Sequence, residues 1–472
     1  MNIKRLSGLL WGCIVVIGSF ALSSCQSNPN EDIVVNKNDG AFESSVNAQK
    51  NTNDADDGIA VDIPTSYEDN FTTDKDGISI IVDAKIEAAD VAMPVVRVKP
   101  TEITADQVKL WSDVLFDGQA AYEPTSVLTK SEIEAKILSF RQLISNRDAL
   151  VAEYDSEVDA DAMIDYYNEL ISSLEKDYES APEFIDRKLS DWTFHSSDYY
   201  MESTSMWEGT TEFDSLKKTY ELKAVTDEGG LHNRVLDAMN RSESDFSLHS
   251  LGFYYTNSER TEDFTYKSIS NEEAQNLAEK LMEDLNLDKW ALWSIQDNSE
   301  ENTSLYQLIY TPVYENVQTI LGTMIDMKSE DMYAANFYYE QLKVDILNGI
   351  IYSVDLQSPM EIVSVENSDV NTISFEKAYE LFKSQAQNQF TKTTFWGGDD
   401  PSFADFNIEL KVESIRQGLF RIKDKNNNDE FLMVPVWSFD GAFMVNGENW
   451  GQQNFVTINA VDGSIINTNL GY

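Results

Sequence analysis

Residues 456–466 read Val-Thr-Ile-Asn-Ala-Val-Asp-Gly-Ser-Ile-Ile, and this stretch decides the fold expected for the C-terminal half. Apolar residues recur on both sides of Asp462-Gly463, which is typical of two strands that pair across a turn. Asp-Gly is a dipeptide that accepts positive φ at both central positions of a type I′ turn. The stretch therefore predicts a two-residue hairpin between strands at 456–461 and 464–467.

The same design occurs earlier in the chain. Residues 342–351 read Leu-Lys-Val-Asp-Ile-Leu-Asn-Gly-Ile-Ile, with Asn-Gly at the predicted turn. In both places, the hairpin follows a helix that begins at a serine and a strand that contains Pro-Val. The matched landmarks are Ser270 and Ser374, Pro312 and Pro435, and Gly349 and Gly463. Their common order predicts a duplicated helix-plus-hairpin unit over 263–368 and 369–472, and their unequal spacing predicts different insertions.

This layout resembles the PepSY-like modules of bacterial secreted proteins, and residues 460–466 carry the resemblance best. It is also similar to uncharacterised lipoproteins of Firmicutes and, distantly, to the extracytoplasmic regulators of cell-wall sensor kinases. The resemblance covers part of each unit and implies a non-enzymatic binding or inhibitory module. Long insertions such as 388–404 depart from the small module, and no catalytic residue carries over.

Helical patterns dominate the N-terminal half. Thr104 with Gln107, and Thr129 with Glu132, have the spacing of capping boxes at helix starts. Apolar residues then recur at helical spacing, and they predict a long helical hairpin over 129–180. Strand-like segments precede and follow it. We therefore expect an N-terminal α+β domain at 67–262, and an α+β protein in which helices pack on antiparallel sheets.

The first 24 residues have the form of a lipoprotein signal peptide. Lys4 and Arg5 precede an apolar run, which ends at Leu22-Ser23-Ser24-Cys25. Small residues before a cysteine at this place resemble the bacterial lipobox, which implies that Cys25 is lipidated and attached to the cell membrane on its outer face. A transmembrane helix, or a secretory signal with a chance cysteine, is the alternative. Since Cys13 would be removed with the signal, the mature chain would have no disulfide and no thiolate catalysis.

Residues 25–66 are predicted to form a disordered acidic tether. After Cys25 the segment contains eight acidic residues, two lysines and one aromatic residue, Phe42. Such a composition cannot bury enough apolar surface to offset the loss of chain entropy.

The net charge of −47 excludes nucleic acid as a partner, because nucleic-acid binding needs a positive surface. The 42% hydrophobic content excludes a wholly disordered chain.

Catalytic and metal-binding patterns are missing from the sequence. His195, His232 and His249 stand in no metal-ligand spacing. Residues 424–429 imitate a calcium loop but lack its glycine and its final glutamate, so a polar hairpin turn is the favoured interpretation. We accordingly predict no catalytic residue, no metal site, no cofactor and no enzymatic activity.

Phe395 and Trp396 are the candidate ligand contacts, because they lie in a polar, glycine-containing insertion where aromatic rings could stack on a sugar or peptide. The function expected is a lipid-anchored, extracytoplasmic, non-enzymatic module that binds or regulates a protein or peptide partner. Two alternatives remain: a solute-binding lipoprotein of a transporter, and a cell-wall glycan hydrolase that uses a pair of carboxylates.

Overall fold

The computed structural model describes residue 46 and the chain from 63 to 468, apart from 102, 124–126, 155–156, 191–194, 197–203, 214–217, 229–246, 256–265, 323–338, 392–405 and 425–426. The helices of the described residues are α1 (Ala105–Leu115), α2 (Lys130–Ser145), α3 (Arg147–Tyr154), α4 (Glu157–Tyr178), α5 (Asn271–Asp284) and α6 (Phe375–Gln389). The strands before α5 are β1 (Ser66–Thr72), β2 (Ser79–Glu87), β3 (Val95–Pro100), β4 (His195–Ser196), β5 (Thr204–Phe213), β6 (Lys218–Glu228) and β7 (Ser247–Tyr255). Those between α5 and α6 are β8 (Trp290–Asp297), β9 (Leu305–Tyr314), β10 (Val317–Gln318), β11 (Gln341–Leu347), β12 (Ile350–Gln357) and β13 (Met360–Asn367). The last are β14 (Ile408–Asp424), β15 (Asn427–Val445), β16 (Glu448–Asn459) and β17 (Ile465–Ile466). The predicted α+β class is confirmed.

The strands form two sheets. Sheet I has the order β1-β2-β14-β15-β16-β17, and β3 joins it by pairing with β13 and β15. Sheet II has the order β10-β9-β11-β12-β7-β6-β5-β4, with β8 paired to β9. Among the strand pairs described, β2 with β14 is parallel and the others are antiparallel.

Strand pairing crosses the predicted borders at 262/263 and 368/369. The first three strands belong to sheet I with the C-terminal strands, whereas β4–β7 belong to sheet II. Strand β13, from the end of the first predicted unit, pairs with β3 in sheet I. Pairing between strands this distant in the chain leaves no local signal in the sequence.

The two predicted units share their strand order. In each, a helix precedes an antiparallel meander, β8-β9-β11-β12 after α5 and β14-β15-β16-β17 after α6. The chain enters both helices in the same way, since an isoleucine carbonyl just before the serine N-cap accepts a hydrogen bond from an aromatic side chain of the second strand. Tyr306 Oη donates to Ile269 O at 2.9 Å, and Trp437 Nε1 donates to Ile373 O at 3.3 Å.

The two hairpins differ in their turns. Asn348 and Gly349 have φ of 52° and 81°, and they join Leu347 to Ile350 as the predicted two-residue turn. The predicted two-residue turn at Asp462-Gly463 is wrong. Asn459 and Ser464 pair around a four-residue loop in which Gly463 alone has positive φ, at 76°. The Asp462 carboxylate holds this longer loop, because it accepts hydrogen bonds from the Ser464 backbone N–H and hydroxyl at 2.9 Å and 2.7 Å.

Both capping boxes are present at the starts of α1 and α2, as predicted. The predicted helical hairpin consists of three helices, α2, α3 and α4, because the chain also breaks at Asn146, between α2 and α3. We call these three helices the arm. It begins and ends at a short ribbon, in which Glu123 N donates to Lys188 O at 2.9 Å and Ser190 N donates to Ala121 O at 2.9 Å.

The predicted tether contains one described residue, Val46. Its side chain is 8% exposed and packs in the cluster of Val95, Ile320 and Phe420. Its carbonyl accepts a hydrogen bond from Asn367 Nδ2 at 2.7 Å. A single apolar residue in a polar segment can thus pack on the apolar surface of the sheets. In the described part of the chain, no helix is long and apolar enough to cross a membrane.

Candidate partner-binding surface

Cys25, Phe395, Trp396 and His232 lie outside the described residues. His195 lies in β4, where it pairs with Met206, and His249 lies in β7, where it pairs with Thr226. The described residues contain no group of three or more His, Cys, Asp or Glu side chains that could hold a metal ion.

The calcium-like segment lies at the β14–β15 hairpin, as the turn interpretation predicts, since Asp424 pairs with Asn427 across it. The Asp424 carboxylate accepts a hydrogen bond from Arg97 of β3, which also donates to Glu366 at 2.8 Å. The pKa of Arg97 is raised above its usual value, chiefly by the hydrogen bond to Asp424. This carboxylate thus joins two strands of sheet I.

The arm has a hydrophobic cluster of its own, separate from the clusters in the two sheets. Ile133 and Ile137 of α2 pack against Ile171 of α4, and Phe140 and Leu174 lie beside them. The Phe140 ring stacks on Tyr167 of α4 at a centroid distance of 5.4 Å. The arm is consequently held together by contacts between its own helices.

Along one flank of the arm, polar side chains of neighbouring helices contact each other. Arg141 Nη2 lies 2.7 Å from Glu175 Oε1, and the Tyr178 hydroxyl donates to Glu134 at 2.5 Å. Nearer the tip, Arg147 makes two hydrogen bonds to Asp161, at 2.8 Å and 3.0 Å. These residues define the closed flank.

The opposite flank of α4 carries large apolar side chains at intervals of three and four residues: Met163, Tyr166, Leu170 and Leu174. At about 100° per residue they lie within about 80° of one another, and Leu170 lies about 140° around the helix from Glu175 of the closed flank. Tyr166 is 52% exposed and the other three are half-buried.

Helix α2 adds Leu143 to the same side. It is half-buried and lies about 160° around α2 from Arg141 of the closed flank. Leu174 lies at the edge of the arm's own hydrophobic cluster, whereas Tyr166 of the same stripe is exposed, so the stripe extends beyond what α2 covers. Leu143 and the four α4 residues define the open flank.

The arm is strongly acidic. Residues 130–178 contain twelve acidic and five basic side chains, and α4 alone has seven acidic residues and one lysine. Asp159 and Asp177 lie on the same side of α4 as the open flank, and Lys136 is the cation that α2 places there. The open flank is therefore an apolar stripe in a negative environment.

A separate candidate feature, a groove, lies where the two sheets meet. Residues 317–320 run alongside β14: Thr319 bridges Leu419, and Ile320 N donates to Leu419 O at 2.7 Å. Beside this contact, a groove of about 250 Å³ is lined by Glu87–Val91, Trp293, Asn316, Val317, Gln318, Ile320, Arg416 and Gln417.

The arginine that lines this groove, Arg416, already has partners within the protein. The Arg416 guanidinium lies 4.2 Å from the centre of the Trp293 ring, and Arg416 Nε lies 3.1 Å from Glu87 Oε2. The hydrogen bond from Lys85 and then the charge of Arg416 hold the pKa of Glu87 below its usual value, so Glu87 stays ionised and keeps Arg416 in place. The open flank of the arm is thus the better candidate for a partner.

A buried charged cluster also joins the sheets. Tyr314 of β9 donates through its hydroxyl to the carboxylate of Glu340, and Arg421 of β14 faces the rings of Tyr339 and Phe431 at 5.7 Å and 5.0 Å. Burial raises the pKa of Glu340 to about 7, although the charge of Arg421 and the Tyr314 hydroxyl oppose the shift.

The sequence contained the signal for the open flank but not for the other two features. Apolar residues at 163, 166, 170 and 174 are visible as a stripe, although the sequence did not indicate which of them α2 would leave exposed. The groove combines residues as far apart as Glu87 and Gln417, and the buried cluster combines residues as far apart as Tyr314 and Phe431, so neither leaves a local signal in the sequence.

No protein-family model matches the chain, and a search of curated proteins finds no match. Two solved structures are similar. An uncharacterized protein from Eubacterium rectale gives a TM-score of 0.39 at 11% identity, over 85% of this chain and 93% of that one. The Bacillus megaterium YpeB C-terminal domain gives a TM-score of 0.23 at 12% identity, over 55% of this chain and 87% of that domain. Likenesses of this strength carry no argument about function.

Proposed function

We propose that this chain is a lipid-anchored, extracytoplasmic, non-enzymatic protein that binds or regulates a protein partner through its arm. The open flank is the observation that carries the proposal. Apolar side chains that a monomer leaves uncovered and rims with polar residues are typical of protein interaction sites. The lipobox-like sequence at Cys25 supports the anchor, and the resemblance of the C-terminal units to PepSY-like modules supports a binding role.

The solute-binding alternative receives less support. A solute-binding lipoprotein needs repeated βαβ units with parallel strands, whereas the meanders after α5 and α6 are antiparallel. The junction groove has an engaged cation, as described above, and a ligand carboxylate would have to displace Glu87 from Arg416.

Cross-linking of the full chain in native membranes tests the proposal. A protein partner should be captured with the wild-type chain, and its capture should fall when Cys25→Ala releases the chain from the membrane. Failure to capture any protein would refute the proposal, and capture of a permease complex would favour the solute-binding alternative instead.

A further inference from the structure

We infer that the open flank binds a basic amphipathic helix of a partner protein, which completes a three-helix bundle with α2 and α4. This inference rests on the proposed function and names the chemistry of the partner. It follows from three features of the arm: the shape of the apolar stripe, its length and the charge around it.

The shape favours a helix. The residues Met163, Tyr166, Leu170 and Leu174 follow one another at intervals of three, four and four, which keeps them on one face of α4 as a ridge that can pack against another helix. Leu143 of α2 faces the same side, so the two helices form a groove and not an isolated ridge. An amphipathic helix laid in such a groove would contact it with residues at i, i+3, i+4 and i+7.

The length favours a helix of about five turns. Helix α4 has 22 residues and, at about 1.5 Å per residue, is about 33 Å long. From Met163 to Leu174 the stripe spans about three turns of it, and Leu143 borders the same stretch from α2. A partner helix of about 18–21 residues would cover the stripe and extend past both ends.

The charge selects a basic partner. Asp161 and Glu175 of α4 pair with arginines on the closed flank. Asp159 and Asp177 lie beside the stripe, and residues 130–178 contain twelve acidic and five basic side chains, so the field along the groove is negative. Complementary charge accelerates encounter and selects among partners, and like charge costs several kcal/mol. A second copy of this chain would bring a second acidic arm, so self-association through this surface is disfavoured.

Peptide binding to the purified full chain tests the inference. Three fluorescent peptides of about 21 residues serve as probes: an amphipathic helix with leucine on one face and lysine on the other, the same composition in scrambled order, and the amphipathic helix with glutamate for lysine. The amphipathic basic peptide should bind at least ~10-fold more tightly than either control, because it alone matches both the stripe and the charge.

Variants of the open flank locate the binding. Tyr166→Ser, alone and together with Leu170→Ser, should weaken binding of the amphipathic basic peptide by ~10-fold or more, as loss of central apolar contacts does in protein interfaces. Leu138→Ser is the matched control, because Leu138 is 58% exposed on α2 but lies about 140° around the helix from Leu143 of the open flank. Helical circular dichroism checks that each variant is folded, and the exposed position of Tyr166 keeps the single variant informative.

Equal binding of the scrambled peptide would mean that the acidic chain attracts any polycation, and it would overturn the inference. Equal losses with Leu138→Ser and Tyr166→Ser would also overturn it, as would concentration-dependent dimerisation that Tyr166→Ser abolishes. In the membrane cross-linking experiment, capture that falls with the Tyr166→Ser, Leu170→Ser variant, combined with equal binding of the lysine and glutamate peptides, would leave the proposed function standing and refute this inference alone. Capture of the same partner by wild type and by that variant would refute both.

Discussion

The wild-type protein should lose stability between about pH 5 and about pH 8, and replacing Glu340 with glutamine should abolish much of that loss. Glu340 is buried between the sheets, where Tyr314 donates to it and the charge of Arg421 lies nearby. Burial disfavours the ionised carboxylate more than these partners favour it, so the pKa rises from 4.5 to about 7. Glutamine resembles the protonated form in shape and cannot ionise.

The sign follows from proton binding. Between pH 4.5 and about 7 the folded state holds a proton on Glu340 that the unfolded state has lost, so stability falls as pH rises through this window. At about 1.36 kcal/mol per pKa unit the full effect is roughly 3 kcal/mol. Most of this, roughly 2–3 kcal/mol, is lost between about pH 5 and about pH 8.

Urea unfolding of the wild type and of Glu340→Gln at several pH values measures this loss. The effect of Glu340 is the difference between the unfolding free energies of wild type and variant at each pH. Neither curve alone gives it, because repulsion within a chain of net charge −47 also lowers stability at high pH. Glu361→Gln is the control, since Glu361 is half-exposed beside Lys99. Its free energy of unfolding plotted against pH should run parallel to that of the wild type. Parallel profiles for wild type and Glu340→Gln would refute the reasoning.

Three further predictions concern separate parts of the chain. Cys25→Ala should release the protein from the membrane or leave an unprocessed precursor, which fractionation detects; normal processing in the membrane would contradict lipidation. Gly463→Val should cost about 1–3 kcal/mol in thermal unfolding, because φ is 76°, and Gly463→Asn should cost less; equal melting temperatures for all three proteins would exclude a strained position. Gly418→Ala should destabilise by about 1–3 kcal/mol, because its Cβ would lie 2.7 Å from the Gln318 backbone oxygen; unchanged urea unfolding would contradict the close approach of the two sheets.

The arm was predictable because its signals are local. The Thr129–Glu132 capping box fixes the start of α2, and apolar residues at helical spacing fix the paired faces of α2 and α4. The Asn348-Gly349 turn was equally predictable, since its conformation depends on two residues whose left-handed φ costs little.

The Asp462-Gly463 turn shows where local signals fail. The dipeptide fits a two-residue turn, but hydrogen bonds of Asp462 and the pairing of Asn459 with Ser464 select a longer loop. Several turn types accept glycine at a left-handed position, so the strand register must decide among them.

The sequence by itself determined the class of the protein, the two helix-plus-meander units and the helical arm, because capping, periodicity and turn chemistry act over a few residues. Only the tertiary structure decided that β1–β3 join the C-terminal strands, that Glu340 and Arg421 share a buried site, and that Tyr166 and Leu170 are left on the open flank. The physical reason is that burial and strand pairing depend on which distant surfaces meet. An apolar stripe looks the same in the sequence whether a neighbour covers it or not.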